Sequence, residues 1–279
     1  MRSGFVSFVG RPNVGKSTLL NAICGKKVSI VSDKPQTTRN RIRGVLTTAE
    51  TQLIFVDTPG IHKAVSALGE RVNSTAIEST KDVDVVCLVI DATQTFGTGD
   101  KYVSNHIDMS KAVVILNKID RAEPAKILKQ LQALSSLGAA EYFPISAKTG
   151  DGVAELTAYL ATRMPEGELL YPVEMITETP DSVWIAELVR EQLLENTHEE
   201  LPYSIATRVT EYEPPRIRCE IVVERESQKG MVIGKNGSML KIVGTNVRRQ
   251  LPSGTFLELA VVVDKNWQQR PERVERLGY

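Results

Sequence analysis

The nine residues GRPNVGKST near the N-terminus constrain the fold more than any other stretch of the chain. Gly10, Gly15, Lys16 and Ser17 follow the spacing G-x-x-x-x-G-K-S, after the strand-like run FVSFVG and before the helix-like segment KSTLLNAICG. Glycines let such a loop curl so that its N–H groups face a polyphosphate, and the helix N-terminus adds a partial positive charge. A glycine turn with a chance lysine is the alternative, but the spacing and both flanks favour a phosphate-binding loop.

The rest of the first half alternates strand-like and helix-like segments. DVVCLVID and KAVVILNK are near-continuous apolar runs, as expected for parallel strands covered on both faces, and RGVLTT, QLIFVDT and EYFPIS are further strands. AKILKQLQALSSLG, closed by Gly138, and VAELTAYLATRM are predicted helices. This alternation predicts an α/β domain with a mostly parallel sheet.

The pattern changes after residue 164. Residues 165–181 carry three prolines and no clear period, which predicts a linker. The segments that follow are predicted in the order helix, strand, strand, helix, helix, strand, which is too little for a second doubly wound sheet. We therefore expect an α/β domain at 1–164, a linker at 165–181 and a small α+β domain at 182–279.

Two motifs at predicted strand ends indicate the base of the bound nucleotide. NKID places Asn117, Lys118 and Asp120 where open α/β sheets bind ligands. The Asp120 carboxylate can accept both donors on one edge of guanine, whereas adenine presents an acceptor there. SAKTG ends the next strand, and the Ala147 N–H can donate to the guanine O6. The motifs predict GTP rather than ATP, with base-binding residues Asn117, Lys118, Asp120, Ser146, Ala147 and Lys148.

The phosphates and a metal ion are assigned to three loops. Lys16 is expected to reach the β- and γ-phosphates, while the Ser17 hydroxyl and Asp57 of DTPG bind Mg²⁺. Thr37 and Thr38 are candidates for a threonine that senses the γ-phosphate through Mg²⁺, and Thr38 is favoured because it lies nearer the following strand. The predicted metal ligands are Ser17, Thr38 and Asp57. The predicted phosphate-binding residues are Gly10, Arg11, Pro12, Asn13, Val14, Gly15, Lys16, Ser17, Thr18 and Gly60.

The residue after DTPG is Ile61, where many GTPases have a glutamine that orients the attacking water. We assign no catalytic side chain and expect slow hydrolysis, with the water held by backbone groups, by the switch loops or by a partner in trans. His62 is a candidate base, but a histidine on a loop is more often solvated. His106 and His198 are expected on the surface.

GKNG, residues Gly234 to Gly237, lies between two predicted helices. A G-x-x-G loop in this place clamps the backbone of about four single-stranded nucleotides in KH domains, although alone it also fits a plain αα-turn. From Arg225 to Arg249 there are six basic residues and one acid, in a chain of formal net charge +0. This excess favours RNA binding. The predicted RNA-binding residues are Lys229, Met231, Val232, Ile233, Gly234, Lys235, Asn236, Gly237 and Lys241.

Together these stretches resemble the Era family of bacterial GTPases, which carry a C-terminal type II KH domain. The resemblance covers nearly the whole chain and rests on GRPNVGKST, PQTTRNRI, DTPGIH, NKID, SAKTG, ELPYSIATRV, VERESQKGMVIGKNG and the terminal ERLGY. It implies a Ras-like P-loop GTPase domain with a mostly parallel sheet, followed by an α+β type II KH domain. It also implies a slow switch using GTP, GDP and Mg²⁺ that binds single-stranded 16S rRNA near its 3′ end and assists small (30S) ribosomal subunit assembly.

In some relatives the loop asparagine equivalent to Asn13 helps to hold a K⁺ ion beside the phosphates; bracing of the loop is the alternative role. The cysteine pattern predicts a cytoplasmic protein, and the resemblance implies loose peripheral association with the inner face of the cell membrane, although the sequence shows no amphipathic anchor. We expect a monomer, because no large apolar stripe remains once two cores are assigned. Three widely spaced cysteines predict reduced thiols.

Two other functions stay open. One is a passive RNA-binding module whose nucleotide is structural. The other is a GTPase of tRNA modification or large-subunit assembly, although such proteins carry different extra domains. Trp267 lies near the C-terminus and could pack on the second domain or stack on a base; packing is the expectation.

Overall fold

The structure is a computed structural model that describes residues 1–34, 36–62, 66–197 and 199–279. His198, expected on the surface, lies outside these ranges. The chain forms two compact units. The first comprises Met1–Val31, Thr38–Ala64 and Arg71–Glu178. The second comprises Ser32–Thr37, Val65–Glu70 and Thr179–Tyr279.

The first unit is built on a sheet whose strand order is β2-β3-β1-β4-β5-β6. The strands are β1 (Arg2–Val9), β2 (Ile42–Thr47), β3 (Thr51–Asp57), β4 (Val85–Asp91), β5 (Val113–Asn117) and β6 (Glu141–Pro144). Only β2 pairs antiparallel among these strands, so the sheet is mostly parallel, as predicted. The helices are α1 (Lys16–Cys24), α2 (Ala67–Glu78), α3 (Thr98–Ser104), α4 (Pro124–Ser135) and α5 (Val153–Arg163).

Apolar clusters cover both faces of this sheet. One contains Phe8, Leu20 and Leu156, and the other contains Val9 and Leu88, among further residues. Because β4 and β5 are covered on both sides, their sequences are almost continuously apolar rather than alternating. Parallel strands also end at a common edge, which brings the loops after β1, β3, β5 and β6 together.

The segment predicted as a linker instead packs on the first unit up to Glu178. The buried side-chain oxygen of Gln52 accepts from the N–H groups of Leu170 and Tyr171 at 2.8 and 2.9 Å. The Val45 N–H donates to the Ile176 carbonyl at 2.7 Å. Side chains and the edge of β2 supply hydrogen-bond partners for the backbone of this segment. The segment is therefore ordered although its sequence has no apolar period.

The second unit has the predicted order of helices and strands, with short helices α7 and α10 in addition. Its elements are α6 (Asp181–Asn196), α7 (Leu201–Ser204), β7 (Ala206–Glu213), β8 (Arg216–Val223), α8 (Glu226–Ile233), α9 (Ser238–Arg248), β9 (Phe256–Val263) and α10 (Pro271–Arg276). The strand order is β7-β8-β9, with β7 antiparallel and β9 parallel to β8. Helices α8 and α9 form the crossover that a parallel pair requires.

Trp267 is fully buried in the second unit, and its indole N–H donates to the Ser204 carbonyl at 3.1 Å. The prediction that it packs on this domain is therefore confirmed. Within the described residues, no helix has both the length and the apolar character needed to cross a membrane.

Candidate functional site

The phosphate-binding motif lies between β1 and α1, as predicted. Gly15 has φ 97°, a left-handed conformation that favours glycine, and α1 begins at the next residue. A Cβ on Gly10 would lie 2.5 Å from the Val89 carbonyl oxygen, so the loop approaches β4 too closely for a side chain. The sequence forms this turn because glycine stands at both tight positions.

Lys16 points back into the curve of the loop. Its ammonium donates to the carbonyl oxygens of Gly10 and Arg11 at 3.2 and 3.0 Å. Burial lowers the pKa of Lys16 to about 8, against the opposing effect of the nearby Asp57 carboxylate. The buried cation lies where a bound polyphosphate would replace the loop carbonyls as its partner.

Three oxygen-bearing side chains meet beside Lys16. The Ser17 hydroxyl donates to Asp57 Oδ2 at 2.7 Å and lies 2.9 Å from the Thr38 hydroxyl. Thr37, the other candidate, instead donates from its hydroxyl to the Lys34 carbonyl at 2.7 Å. The geometry thus brings together Ser17, Thr38 and Asp57, the trio that the sequence assigned to a metal.

The trio fits a magnesium ion. Burial raises the pKa of Asp57, although Lys16 and neighbouring hydroxyls oppose that rise. No described residue donates a hydrogen bond to the buried Oδ1 of Asp57. A buried carboxylate oxygen without a partner is costly, and hydroxyl and carboxylate oxygens are the ligands that Mg²⁺ prefers.

The NKID and SAKTG motifs are tied to the phosphate loop. Asn117 Nδ2 donates to the Val14 carbonyl at 2.9 Å, and Asn117 Oδ1 accepts from the Ala147 N–H at 2.9 Å. The Ser146 hydroxyl donates to Asp120 Oδ1 at 2.7 Å. Asp120 itself is exposed, so its second carboxylate oxygen faces outward. Since the Ala147 N–H already has an acceptor in Asn117, a contact with guanine O6 would require that bond to be exchanged.

Asp91, which was not predicted, belongs to the same group. Lys118 Nζ donates to Asp91 Oδ2 at 2.7 Å and to the Asn13 carbonyl at 2.6 Å. Hydrogen bonds and the Lys118 charge hold the pKa of Asp91 below its usual value, despite the opposing effect of burial. An acid that ends the apolar run DVVCLVID was the available sequence signal, because strand ends form this edge of the sheet.

The Arg11 side chain is hydrogen-bonded to Asp100 and Gln94. Its Nε donates to Asp100 Oδ1 and its Nη2 to Gln94 Oε1, both at 2.8 Å. Asp100 also accepts from the Gly97 N–H in the first turn of α3. Arg11 therefore ties the phosphate loop to α3, and only its backbone stays available to phosphate.

The two described residues that directly follow DTPG, Ile61 and His62, are each packed or hydrogen-bonded within the protein. Ile61 is 2% exposed and packs in the apolar cluster with Val9 and Leu88. His62, expected to be solvated, is half-buried, and its Nδ1 lies 2.9 Å from the Gly60 carbonyl oxygen. A Cβ on Gly60 would lie 2.5 Å from the Pro12 nitrogen, so this position requires glycine.

The GKNG sequence forms a tight loop between α8 and α9, as predicted. Gly234 and Gly237 have φ 72° and 76°. Lys235, Asn236 and Lys241 are exposed, Lys229, Ile233, Gly234 and Gly237 are half-buried, and Met231 and Ile242 are 61% and 46% exposed.

Val232 is a correction to the predicted RNA-binding set. It is 0% exposed and belongs to the apolar core of the second unit. Because α8 must bury one face against its sheet, one of three consecutive apolar residues turns inward.

Two family models match the chain: "50S ribosome-binding GTPase" over residues 5–118 and "KH domain" over residues 200–268. GTPase Era of Mycobacterium sp. (strain KMS) is 43% identical over 295 aligned residues, covering 100% of this chain and 99% of that protein. The chain belongs to the Era family of GTPases. GTPase Era of Mycobacterium tuberculosis (strain CDC 1551 / Oshkosh) is 44% identical, covering 99% of this chain and 98% of that protein.

Two solved structures of Era align with the whole chain. One is Era in complex with MgGDPNP and nucleotides 1506-1542 of 16S ribosomal RNA, with a TM-score of 0.96, 39% identity and coverage of 100% of this chain and 99% of that one. The other is a variant of Aquifex aeolicus Era bound to GDP.AlF4-, with a TM-score of 0.95, 39% identity and the same coverage. The predicted fold class is confirmed: a P-loop GTPase domain followed by a KH domain. The Era-family chain is therefore a GTPase.

Proposed function

We propose that this GTPase is a slow switch that binds single-stranded 16S rRNA near its 3′ end and assists assembly of the small (30S) ribosomal subunit. The observation that carries the proposal is the GKNG loop with its exposed Lys235 and Asn236, which lies in the same chain as the Ser17, Thr38 and Asp57 trio. A relative with this fold was solved with 16S rRNA nucleotides and MgGDPNP, which supports both ligands.

In this proposal the backbone of residues 10–18 and Lys16 hold the phosphates, and the outward oxygen of Asp120 accepts from guanine. Mg²⁺ would be held by Ser17 and Asp57, and also by Thr38 when a γ-phosphate is present. The metal supplies charge neutralisation at the β- and γ-phosphates. Asn13 has two alternative proposed roles: its side chain stabilises the loop by hydrogen bonding, or it binds K⁺.

Slow turnover follows from the buried Ile61, since its side chain is not available to orient water. The γ-phosphate would contact the Gly60 N–H, and the water would be held by backbone groups, the switch loops or a partner. Hydrolysis then releases Thr38 and Gly60, which makes the reaction a timer for RNA binding.

The RNA site is proposed on α8, α9 and the loop between them. Lys235 and Lys241 would neutralise phosphates, and exposed Met231 and Ile242 would lie under unstacked bases. A cytoplasmic location follows from a ribosomal partner. A monomeric state and peripheral membrane association stay predictions, which sedimentation and vesicle flotation would test.

Crosslinking the full chain to RNA in cells, followed by sequencing of the bound fragment, tests the proposal. Fragments from the 3′ end of 16S rRNA are expected. Lys235→Ala with Lys241→Ala should remove them, whereas the control Lys111→Ala, an exposed residue of the first unit, should not. Enrichment of 23S rRNA would instead favour large-subunit assembly, in keeping with the description of the matching GTPase family, and tRNA would favour a modification enzyme.

GTP turnover separates a switch from a passive RNA-binding module. The chain should hydrolyse GTP slowly in Mg²⁺, and Ser17→Ala should abolish turnover. RNA binding without any turnover would support the passive module.

A further inference from the structure

Arg190 is an unusual residue for the middle of α6. It is 0% exposed, and its Nε donates to Glu187 Oε1 at 3.0 Å, one turn earlier on the same helix. A buried ion pair contributes little net stability because both charges lose their hydration. Stability of the second unit alone therefore does not account for a guanidinium in this place.

The Arg190 guanidinium has a second acceptor. Its Nη2 donates to the main-chain carbonyl of Thr37. Thr37 belongs to the segment Ser32–Thr37, which is grouped with the second unit. An arginine can bond a carboxylate and a carbonyl together because its planar head carries five N–H donors in fixed directions.

Thr37 is joined to Thr38 by one peptide bond. The Thr38 hydroxyl lies 2.9 Å from the Ser17 hydroxyl and 3.5 Å from Asp57 Oδ2. The peptide group is planar, so fixing the Thr37 carbonyl also fixes the N–H of Thr38 and restricts where its side chain points. One end of this peptide is thus held by α6 and the other by the proposed magnesium site.

We propose that Arg190 is a positioning residue for the GTPase reaction, holding the Thr37 carbonyl so that the Thr38 hydroxyl faces Ser17 and Asp57. This inference rests on the proposed magnesium role of Thr38. It makes the second unit a contributor to the γ-phosphate sensor. By thermodynamic reciprocity, magnesium-bound GTP then stabilises the Arg190 contact by the same factor.

The test is a magnesium titration of full-length protein, with nucleotide affinity measured in parallel. Arg190→Met is combined with Glu187→Gln so that no buried carboxylate is left without a partner. The matched control is Arg208→Met with Glu220→Gln, which removes another Arg–Glu pair of the second unit, 2.7 Å long. The Arg190 variant should need about tenfold more Mg²⁺ for half-maximal GTP hydrolysis, within the usual range of coupling factors, while GDP affinity stays unchanged. The control should behave as wild type.

An unchanged magnesium requirement in the Arg190 variant would overturn the inference. Equal losses of GTP and GDP affinity would also overturn it, since they indicate a general structural role. Thr38→Ala separates this failure from failure of the proposed function. If Thr38→Ala raises the magnesium requirement and the Arg190 variant does not, only the inference fails. If Thr38→Ala has no effect, the magnesium assignment and the inference both fail.

Hydrogen exchange gives a second measurement that does not depend on the folding of the Arg190 variant. In the unmodified chain, amides of α6 should exchange several-fold more slowly with Mg²⁺ and a non-hydrolysable GTP analogue than with GDP. Thr38→Ala should remove that difference. Equal exchange of α6 in both nucleotide states of the unmodified chain would overturn the inference.

Discussion

At Asp120, one carboxylate oxygen is occupied by the Ser146 hydroxyl and the other faces outward. The outward oxygen is the acceptor available for the donors of guanine. Asp120→Asn replaces this carboxylate oxygen by an amide NH₂ group. The NH₂ group is a donor, so it opposes the donors of guanine and matches the extra carbonyl of xanthine. We expect GTP affinity to fall by roughly 10- to 100-fold, the effect of losing a charge-assisted hydrogen bond of about 1.5–3 kcal/mol, and XTP to bind better than GTP.

Competition between GTP and XTP for a fluorescent nucleotide measures this exchange. Asp108→Asn is the matched control, because Asp108 is an exposed acid that bonds Ser110 and lies away from the site. Unchanged GTP affinity in Asp120→Asn would remove the base-recognition assignment.

The thiols give a second prediction at this scale. Burial raises the pKa of Cys24 and Cys219 from 9.0 to about 12 and also raises the pKa of Cys87. Little thiolate exists in the folded chain at pH 8.5, so iodoacetamide should label all three cysteines much more slowly than in urea. Rapid labelling of any native cysteine, detected by mass spectrometry, would contradict the burial.

The same pKa shifts predict a pH dependence. Since the folded pKa values of the thiols lie above the unfolded value, the free energy of unfolding should fall as the pH rises past about 9.

Residues of the phosphate loop and Thr38 could be predicted because motif spacing and chain order determine their positions. Arg11 and Ala147 stand inside motifs as well, yet their partners, Asp100 and Asn117, are distant in sequence. Val232 was misplaced because three consecutive apolar residues do not reveal which one faces the core. The contacts of Arg11 and Ala147 and the burial of Val232 share one cause: tertiary packing determines the partner, and the sequence does not reveal it.

At the scale of elements, the buried Gln52 side chain is one of the groups that hold the segment 165–178 in place. Gln52→Ala would leave the Leu170 and Tyr171 N–H groups without their acceptor. We expect a loss of about 1–3 kcal/mol in the free energy of unfolding. Glu-C, which cleaves after glutamate, should cleave within 165–178 faster, because that range contains four glutamates. Gln132→Ala, an exposed site on α4, is the control. Unchanged cleavage would show that other contacts hold the segment.

The two glycines of the GKNG loop should respond differently to alanine. A Cβ on Gly234 would lie 2.8 Å from the Met239 nitrogen, whereas a Cβ on Gly237 meets nothing within 4 Å. Both have left-handed φ values, a strain of about 1–2 kcal/mol for alanine. Gly234→Ala adds a backbone clash, so it should reduce RNA affinity and stability more than Gly237→Ala. Urea unfolding and RNA titration of both variants measure the difference. Equal losses of stability and RNA affinity in the two variants would mean that the backbone shifts to relieve the clash at Gly234.

The strands and the periodic helices α1, α4 and α5 were predictable, whereas α2 and the short helices were not. The apolar runs of β4 and β5 are unambiguous because both faces are buried. Helices α3, α7 and α10 span few residues and are stabilised by packing or local caps, so their sequences carry little periodic signal. The segment 165–178 was misread for a related reason, since its order comes from Gln52 and β2.

At the scale of the whole molecule, both tryptophans lie in the second unit. Trp267 is buried, and Trp184 packs against the core of that unit. Tryptophan fluorescence therefore follows unfolding of the second unit, whereas circular dichroism follows both units. The two signals distinguish a ligand that stabilises one unit from a ligand that stabilises both.

Thermal unfolding can then test whether the units are coupled through the Thr37–Thr38 peptide. Mg²⁺ with GDP should raise the transition seen by circular dichroism and leave the tryptophan transition in place, because a ligand stabilises the unit that binds it. A non-hydrolysable GTP analogue should also raise the tryptophan transition, by roughly 4–8 °C for each kcal/mol of coupling in a unit of this size. The added shift is expected because the γ-phosphate fixes Thr38, and Arg190 holds the adjoining carbonyl. Arg190→Met with Glu187→Gln should abolish only that added shift, while the Arg208 and Glu220 control keeps it. A tryptophan transition that moves equally with GDP and with the analogue would mean that the coupling does not pass through Thr38.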